Sequence, residues 1–485
     1  MSDSKKNNMK KYIKIAGFLI LANMAVITPG CDDDYFNQTE NPNLVSNPSI
    51  NAMLSTATHK AGLNTQRIAS FNTFYAQYQA SPIAGSATDT YQITDNSSQW
   101  DAAYYAMADL YDMIEVAKTE GATEHQGVGQ LLLGYTLGLV ADTWGSAPYT
   151  EAFGVGGNLR PKYDSEESLY AASLALINES ILNLQKTTAP IKLDAKSDVI
   201  HGGNRMAWLK TAYAFQARFL NKISKKATHS PAAVLTAVDN AYKSNADDAT
   251  MGVFTGINPW AQIAVSNASN LLGGWLGEHF INHLNGVTYG ILDPRIAKIT
   301  DKTVTLSYVG TRNGRGNTGA ANTIRDENYI SVNSPVTLRT APLFIVTYPE
   351  IKFIEAEAAF KLGVSGRNRA YNAYLAGIRA SMDRLEVSAT ERDAYLSNPA
   401  VGIGEANLTL ALIFKEKYVA TYLSPEAWTD MRRNDYQYKD FKLPDGAVLI
   451  KPIRRVAYPS SERTKNGSNA PAEFPLDTPL WWDKP

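Results

Sequence analysis

Residues 124–143 read EHQGVGQLLLGYTLGLVADT. The run from 131 to 141 is the most apolar stretch of the chain beyond its N-terminal region, but Gly134, Tyr135, Thr136 and Gly138 interrupt it. It falls short of the ~18 consecutive apolar residues that a membrane span needs. The stretch therefore predicts a helix buried in protein. Gly134 and Gly138 stand one helical turn apart. Two helix-weakening glycines in so apolar a segment predict the close approach of a neighbouring helix.

On either side the pattern stays helical. Residues 100–118 carry Trp100, Tyr104, Met107, Tyr111 and Ile114 on one stripe. Residues 51–78 precede them at mixed three and four spacing. Residues 165–184 follow, with Ser165 and Ser168 in a capping-box arrangement and Glu166 and Glu167 favouring the N-terminal dipole. Further helices are predicted over 204–227 and 231–244. Residues 245–343 then turn rich in Gly, Asn, Ser and Thr, with strand-like pieces at 303–309 and 329–332. Helices resume over 348–362, 367–385, 391–396, 407–422 and 425–433, and the tail from Asp435 is irregular. No strict ~34-residue period is present. Paired helices without a sequence repeat still predict a mostly α, tetratricopeptide-like core. An insertion of about 100 loop residues needs a reason, and binding is the usual one.

Composition narrows the function classes. The chain has 485 residues, 44% hydrophobic and 19% charged, which excludes disorder. A formal net charge of -1 gives no basic field for nucleic acid. The single cysteine, Cys31, excludes a disulfide scaffold. It follows a basic segment with Lys5, Lys6, Lys10, Lys11 and Lys14, an apolar run over 15–27, and Thr28-Pro29-Gly30. This order resembles a bacterial lipoprotein signal, with residues 1–30 as signal peptide and Cys31 as the lipidated first mature residue. Residues 31–50 read as a tether. Cleavage removes five lysines and one aspartate and carries the net charge from -1 to -5. Asp32, Asp33 and Asp34 read either as a solvated tether or, by resemblance, as the acidic export signal of surface lipoproteins in Bacteroidetes.

Motifs for covalent chemistry are missing. Gly314-Arg315-Gly316-Asn317-Thr318-Gly319 spells GxGxxG, but no crossover helix follows it, so it reads as a loop. His279 and His283 stand at i, i+4, but Phe280 occupies the place of the zincin glutamate. No nucleophile elbow or phosphate loop is present. Glu355 and Glu357 are two apart on a helix and face different ways. No cofactor, metal or catalytic residue is predicted. What remains is binding chemistry: aromatic faces for the C–H face of a sugar, with amides, carboxylates and guanidinium groups for its hydroxyls. The candidate ligand-binding residues are Tyr91, Asn96 and Trp100 from the loop 88–100; Trp260, Trp275 and Tyr289 from 258–289; and Arg312 and Arg315 from 310–329. For each aromatic, packing of loop onto core is the competing expectation. The 26 tyrosines add little, since many lie on helix stripes.

Several segments resemble the SusD/RagB family of nutrient-binding outer-membrane lipoproteins of Bacteroidetes, in its second SusD-like branch. They are Asp142-Thr143-Trp144-Gly145-Ser146-Ala147-Pro148-Tyr149-Thr150-Glu151-Ala152; Pro161-Lys162-Tyr163-Asp164 with Tyr170; and the helix opening Tyr348-Pro349-Glu350. Trp428 with Arg432-Arg433, Arg454-Arg455-Val456-Ala457-Tyr458-Pro459, and the terminal Trp481-Trp482-Asp483 complete them. The resemblance implies tetratricopeptide-like helix pairs in a right-handed superhelical core. It makes residues 51–485 one helical domain with an irregular insertion at about 245–343. It also implies a lipid-anchored protein facing the cell exterior that captures an oligosaccharide or peptide for a SusC-like TonB-dependent transporter. The motif residues are expected to be structural, with Arg432, Arg433, Arg454 and Arg455 holding carboxylates or carbonyls where the tail wraps the core. A helical scaffold for envelope assembly and a surface glycan hydrolase are the alternative functions.

Overall fold

The computed structural model describes residues 48–154, 158–268, 273–318 and 326–485. The residues read as signal peptide, Cys31 and nearly all of those read as tether lie outside the described residues. Helices α1 (Ile50–Tyr75), α2 (Ser97–Glu120), α3 (Thr123–Trp144), α4 (Glu166–Gln185), α5 (Arg205–Lys222) and α6 (Pro231–Asn240) form the first half. Only two residues join α2 to α3, so the pair is antiparallel. Consecutive helices pack on one another, as in tetratricopeptide-like pairs.

Local chemistry starts these helices. Ser165 Oγ accepts the Ser168 amide at 3.1 Å and caps α4. Asn204 Oδ1 accepts from the Met206 and Ala207 amides and starts α5 one residue later than its periodicity suggests. Helix α3 is buried on every side. A β-carbon on Gly134 would stand 2.8 Å from the Ser173 carbonyl oxygen of α4, so only glycine permits this approach.

The second half holds α7 (Pro259–Ala268), α8 (Glu278–Leu284) and α9 (Ile296–Ile299), all within the stretch read as irregular. It continues with α10 (Tyr348–Lys361), α11 (Arg367–Arg384), α12 (Ala389–Ser397), α13 (Leu410–Ala420), α14 (Glu426–Arg433) and α15 (Ser460–Lys465). Two small antiparallel sheets tie the insertion down. β1 (Gln79–Ala80) pairs with β3 (Trp275–Leu276), Ala80 opposite Trp275. β2 (Ala249–Met251) pairs with β4 (Leu343–Val346), with a bulge at Ala249/Thr250. Residues 303–309, read as strand-like, form a turn with no strand, because Thr303 and Ser307 close it on themselves.

The core carries ion pairs as well as apolar side chains. Arg218 meets Glu350 at 2.6 Å, and Arg433 meets Glu357 at 2.8 Å, all four side chains nearly inaccessible. Three of the four motif arginines, Arg432, Arg454 and Arg455, tie the tail to the core, while Arg433 joins α10 to α14 through Glu357. Arg432 Nη1 donates to the Asp142 carbonyl at 2.6 Å, and Arg455 Nη2 to the Trp144 carbonyl at 2.5 Å. Arg454 pairs with Asp435 at 2.8 Å and with Asp483. Gly145 turns at φ +97 beside the Arg455 guanidinium.

Candidate functional site

The three loops nominated by the sequence meet in space. Strand β3 is the centre: Leu276 N donates to Asn328 O at 2.9 Å, and Thr311 N to Leu276 O at 2.8 Å. Trp275 bridges Tyr329, and Gly277 bridges Thr311. From the other side, buried Asp89 reaches the same place. Its carboxylate accepts from Asn313 Nδ2 at 2.8 Å, Gly314 N at 3.0 Å and Ser81 N at 2.8 Å. Burial raises the Asp89 carboxyl above its ordinary pKa, against the pull of these three donors. The three loops 79–99, 273–289 and 309–331, the last over its described residues 309–318 and 326–331, thereby become one stitched surface.

A fourth loop, 438–450, closes that surface and was not nominated. Asp445 Oδ1 accepts from Arg312 Nε at 3.1 Å, and Asp445 Oδ2 from Arg315 Nε at 2.9 Å. Arg312 also reaches Glu278 at 3.3 Å and the Leu443 carbonyl at 3.2 Å. Desolvation raises the Asp445 pKa, but the two arginines outweigh it and leave the carboxyl below its usual range. Gly314 sits at φ +80 with its α-carbon against the Asp445 backbone, which admits no side chain. The sequence did carry a signal: Pro444-Asp445-Gly446 is turn chemistry in a tail read only as irregular.

The nominated side chains divide sharply. Trp275 is 0% exposed, Tyr91 1%, Trp100 2%, Trp260 4% and Asn96 5%. None of these five has a face or an amide to offer a ligand, so their expected role as contacts is corrected to packing. Trp100 lies 5.2 Å from Trp144 and 6.2 Å from Tyr458, centroid to centroid, and anchors α2 to the tail. Tyr91 packs edge-on to Tyr75 at 6.1 Å, and Trp260 borders a cavity of only about 40 Å³ with Leu343, Arg384 and Tyr422. Asn96 is the N-cap residue of α2. The other three reach the surface in different degrees. Arg315 is exposed; Arg312 and Tyr289 are half-buried. The Tyr289 ring lies 5.6 Å from Lys439 Nζ, beside the same 438–450 loop. Half-buried Tyr329, at the end of the third loop, covers Trp275 at 6.3 Å.

The site is therefore a polar rim. Arg315, Arg312, Asp445 and Glu278 supply fixed hydrogen-bonding groups, with Tyr289 and Tyr329 as partly open rings. His279 and His283 lie beneath it, ring centroids 6.2 Å apart, with His283 Nε2 bound to the Lys415 carbonyl at 3.0 Å. Among the described residues no group of three His, Cys, Asp or Glu could hold a metal ion. Such a rim can bind a polyhydroxylated ligand; among the described residues it holds no nucleophile–base pair of the kind covalent catalysis uses.

A family model, the second SusD-like family, described as starch-binding and associating with outer membrane, matches residues 42–459. Solved structures share the fold. A SusD/RagB family protein from Bacteroides thetaiotaomicron aligns with TM-score 0.73 at 20% identity, covering 90% of this chain and 99% of that one. A SusD homolog from Bacteroides uniformis gives 0.74 at 20%, covering 90% and 100%. A chitin-binding SusD homolog from Flavobacterium johnsoniae gives 0.73 at 20%, covering 89% and 97%. No curated protein matches the chain.

Proposed function

The chain belongs to the SusD-like family, and from that membership we propose that it captures an oligosaccharide at the rim around Asp445. The observation that carries this reading is the convergence of four loops on one polar surface with two partly open tyrosines. Hydrogen bonds to sugar hydroxyls would come from Arg315, Asp445 and neighbouring backbone, and stacking from Tyr289 and Tyr329. The family description names starch, and the Flavobacterium relative is named for chitin, so a glucan or an amino-sugar polymer is the first class to test.

The role is delivery rather than chemistry. A lipid on Cys31 would hold the protein at the outer membrane, facing outward, and a SusC-like TonB-dependent transporter would receive the ligand. Among the described residues no helix is long and apolar enough to cross a membrane, which fits a body held by lipid. Two measurements test the reading together. Calorimetric titration with starch and chitin oligosaccharides should give saturable binding with no product release. Purification from the native membrane should bring down a barrel transporter. Sugar release, or binding of peptides in place of glycans, would overturn the oligosaccharide-capture assignment.

A further inference from the structure

A concavity opens on the insertion and shares no lining residue with the rim. It is a cleft of about 650 Å³ between the segment 291–308 and helix α12. That volume lies within the ~300–1,000 Å³ of small-molecule sites. Leu292, Ile296, Leu306, Tyr308 and Ala394 form its walls, so they are chiefly aliphatic. Leu292 is 57% exposed and Leu306 77%, and Val304 beside them is 56% exposed. Leu306 is held at φ +59, a left-handed conformation unfavourable for a branched side chain. The turn closed by Thr303 and Ser307 fixes it there. Apolar groups held in water at the mouth of a cleft mark a surface with something to bind.

The polar groups of the cleft select the class of ligand. Glu391 is engaged by its own helix start, accepting Ser388 Oγ at 2.6 Å. Asn398 accepts the Ala400 amide at 2.9 Å. Lys302 lines the cleft, is exposed, and has no ion-pair or hydrogen-bond partner among the described residues. Half-buried Tyr308 is the one partly open ring, and Lys302, Glu391 and Asn398 are few polar groups for the many hydroxyls of a sugar. An aliphatic trough with one unengaged ammonium group instead complements an alkyl chain ending in an anion.

We infer that this cleft is a second ligand site, which takes a single free amphiphile with an aliphatic chain and an anionic head, the head at Lys302. The ligand acts as a monomer and not as part of a bilayer. The site is distinct from the glycan rim, because the two surfaces share no residue.

Calorimetric titration of protein lacking residues 1–31 with dodecanoate below its micelle concentration tests this. Saturable one-site binding is expected, weakening roughly tenfold for each two carbons removed in decanoate and octanoate. Ala394→Trp, at an exposed position, should fill the cleft and abolish binding, and Lys302→Glu should weaken it at least tenfold. Both variants should keep the parent circular dichroism spectrum and melting temperature. Absence of saturable binding, or binding unchanged by Ala394→Trp, would overturn the site. Equal affinity for dodecyltrimethylammonium would overturn the anionic head. Sedimentation with phosphatidylglycerol vesicles, lost in Ala394→Trp, would assign the cleft to a membrane surface and overturn the free amphiphile.

Discussion

Trp275 lies wholly inside the protein, opposite Ala80 in the sheet and under the Tyr329 ring. Deleting such a side chain leaves a cavity at the seam where the loops join. Trp275→Ala should therefore cost about 3–5 kcal/mol and visibly lower the melting temperature, as should Tyr91→Ala. Unchanged melting with weakened ligand binding would return these rings to the binding surface. A loop aromatic carries no mark in the sequence that says whether it faces water or its own core. Trp275 and Tyr289 look alike there, and only the pairing with Ala80 and Tyr329 separates them. His279 gives a second test at this scale. Burial among Tyr418, Tyr438 and Phe441 lowers its pKa to about 4 from 6.5. A base whose folded pKa is depressed contributes stability that is complete above pH 6.5 and is lost as pH falls through about 4. The melting-temperature difference between the wild type and His279→Phe should shift across that window in favour of the variant. A constant difference would contradict it.

Helix pairs were legible for a physical reason. Their apolar stripes repeat at 3.6 residues, and capping residues such as Ser165 and Asn204 announce their starts. The pair of glycines in α3 was legible too, and its meaning can be measured. Gly134→Ala gains helix propensity of about 1 kcal/mol. The new methyl group would meet the Ser173 carbonyl of α4, at a cost of about 1–3 kcal/mol. Net destabilisation is expected by thermal melting, larger for Gly134→Val; stabilisation would contradict the packing. Between α10 and α14 the buried Arg433–Glu357 pair behaves differently. Glu357→Gln leaves Arg433 with Asp430, at 2.6 Å, as its remaining carboxylate partner. The change should cost about 1.5–3 kcal/mol, while Glu357→Gln with Arg433→Met should recover part of the loss. A double variant no better than the single one would contradict this. The insertion was not legible at this scale. Its order rests on strands of two to four residues that pair with partners far away in the chain, Ala80 with Trp275 and Met251 with Leu343, and such short strands leave no periodicity to read.

Across the whole chain, the order of motifs and the helical body were readable, while the binding surface was readable only in outline. The nominated loops do converge, yet the side chains that face water on them are Arg315, Asp445, Tyr289 and Tyr329 rather than the tryptophans. Asp445 stood in a tail whose Pro-Asp-Gly turn was visible but whose partner, more than 130 residues earlier, was not. Capture at this rim requires that polar groups and half-open rings there contribute affinity without carrying stability. Calorimetric titration of a glucan and chitin oligosaccharide panel against the wild type and the Arg315→Ala, Tyr289→Leu double variant tests this directly. Binding by the wild type, weakened at least tenfold in the variant with a nearly unchanged melting temperature, is the predicted result. Binding that survives in the double variant, or no glycan bound by either protein, would contradict it.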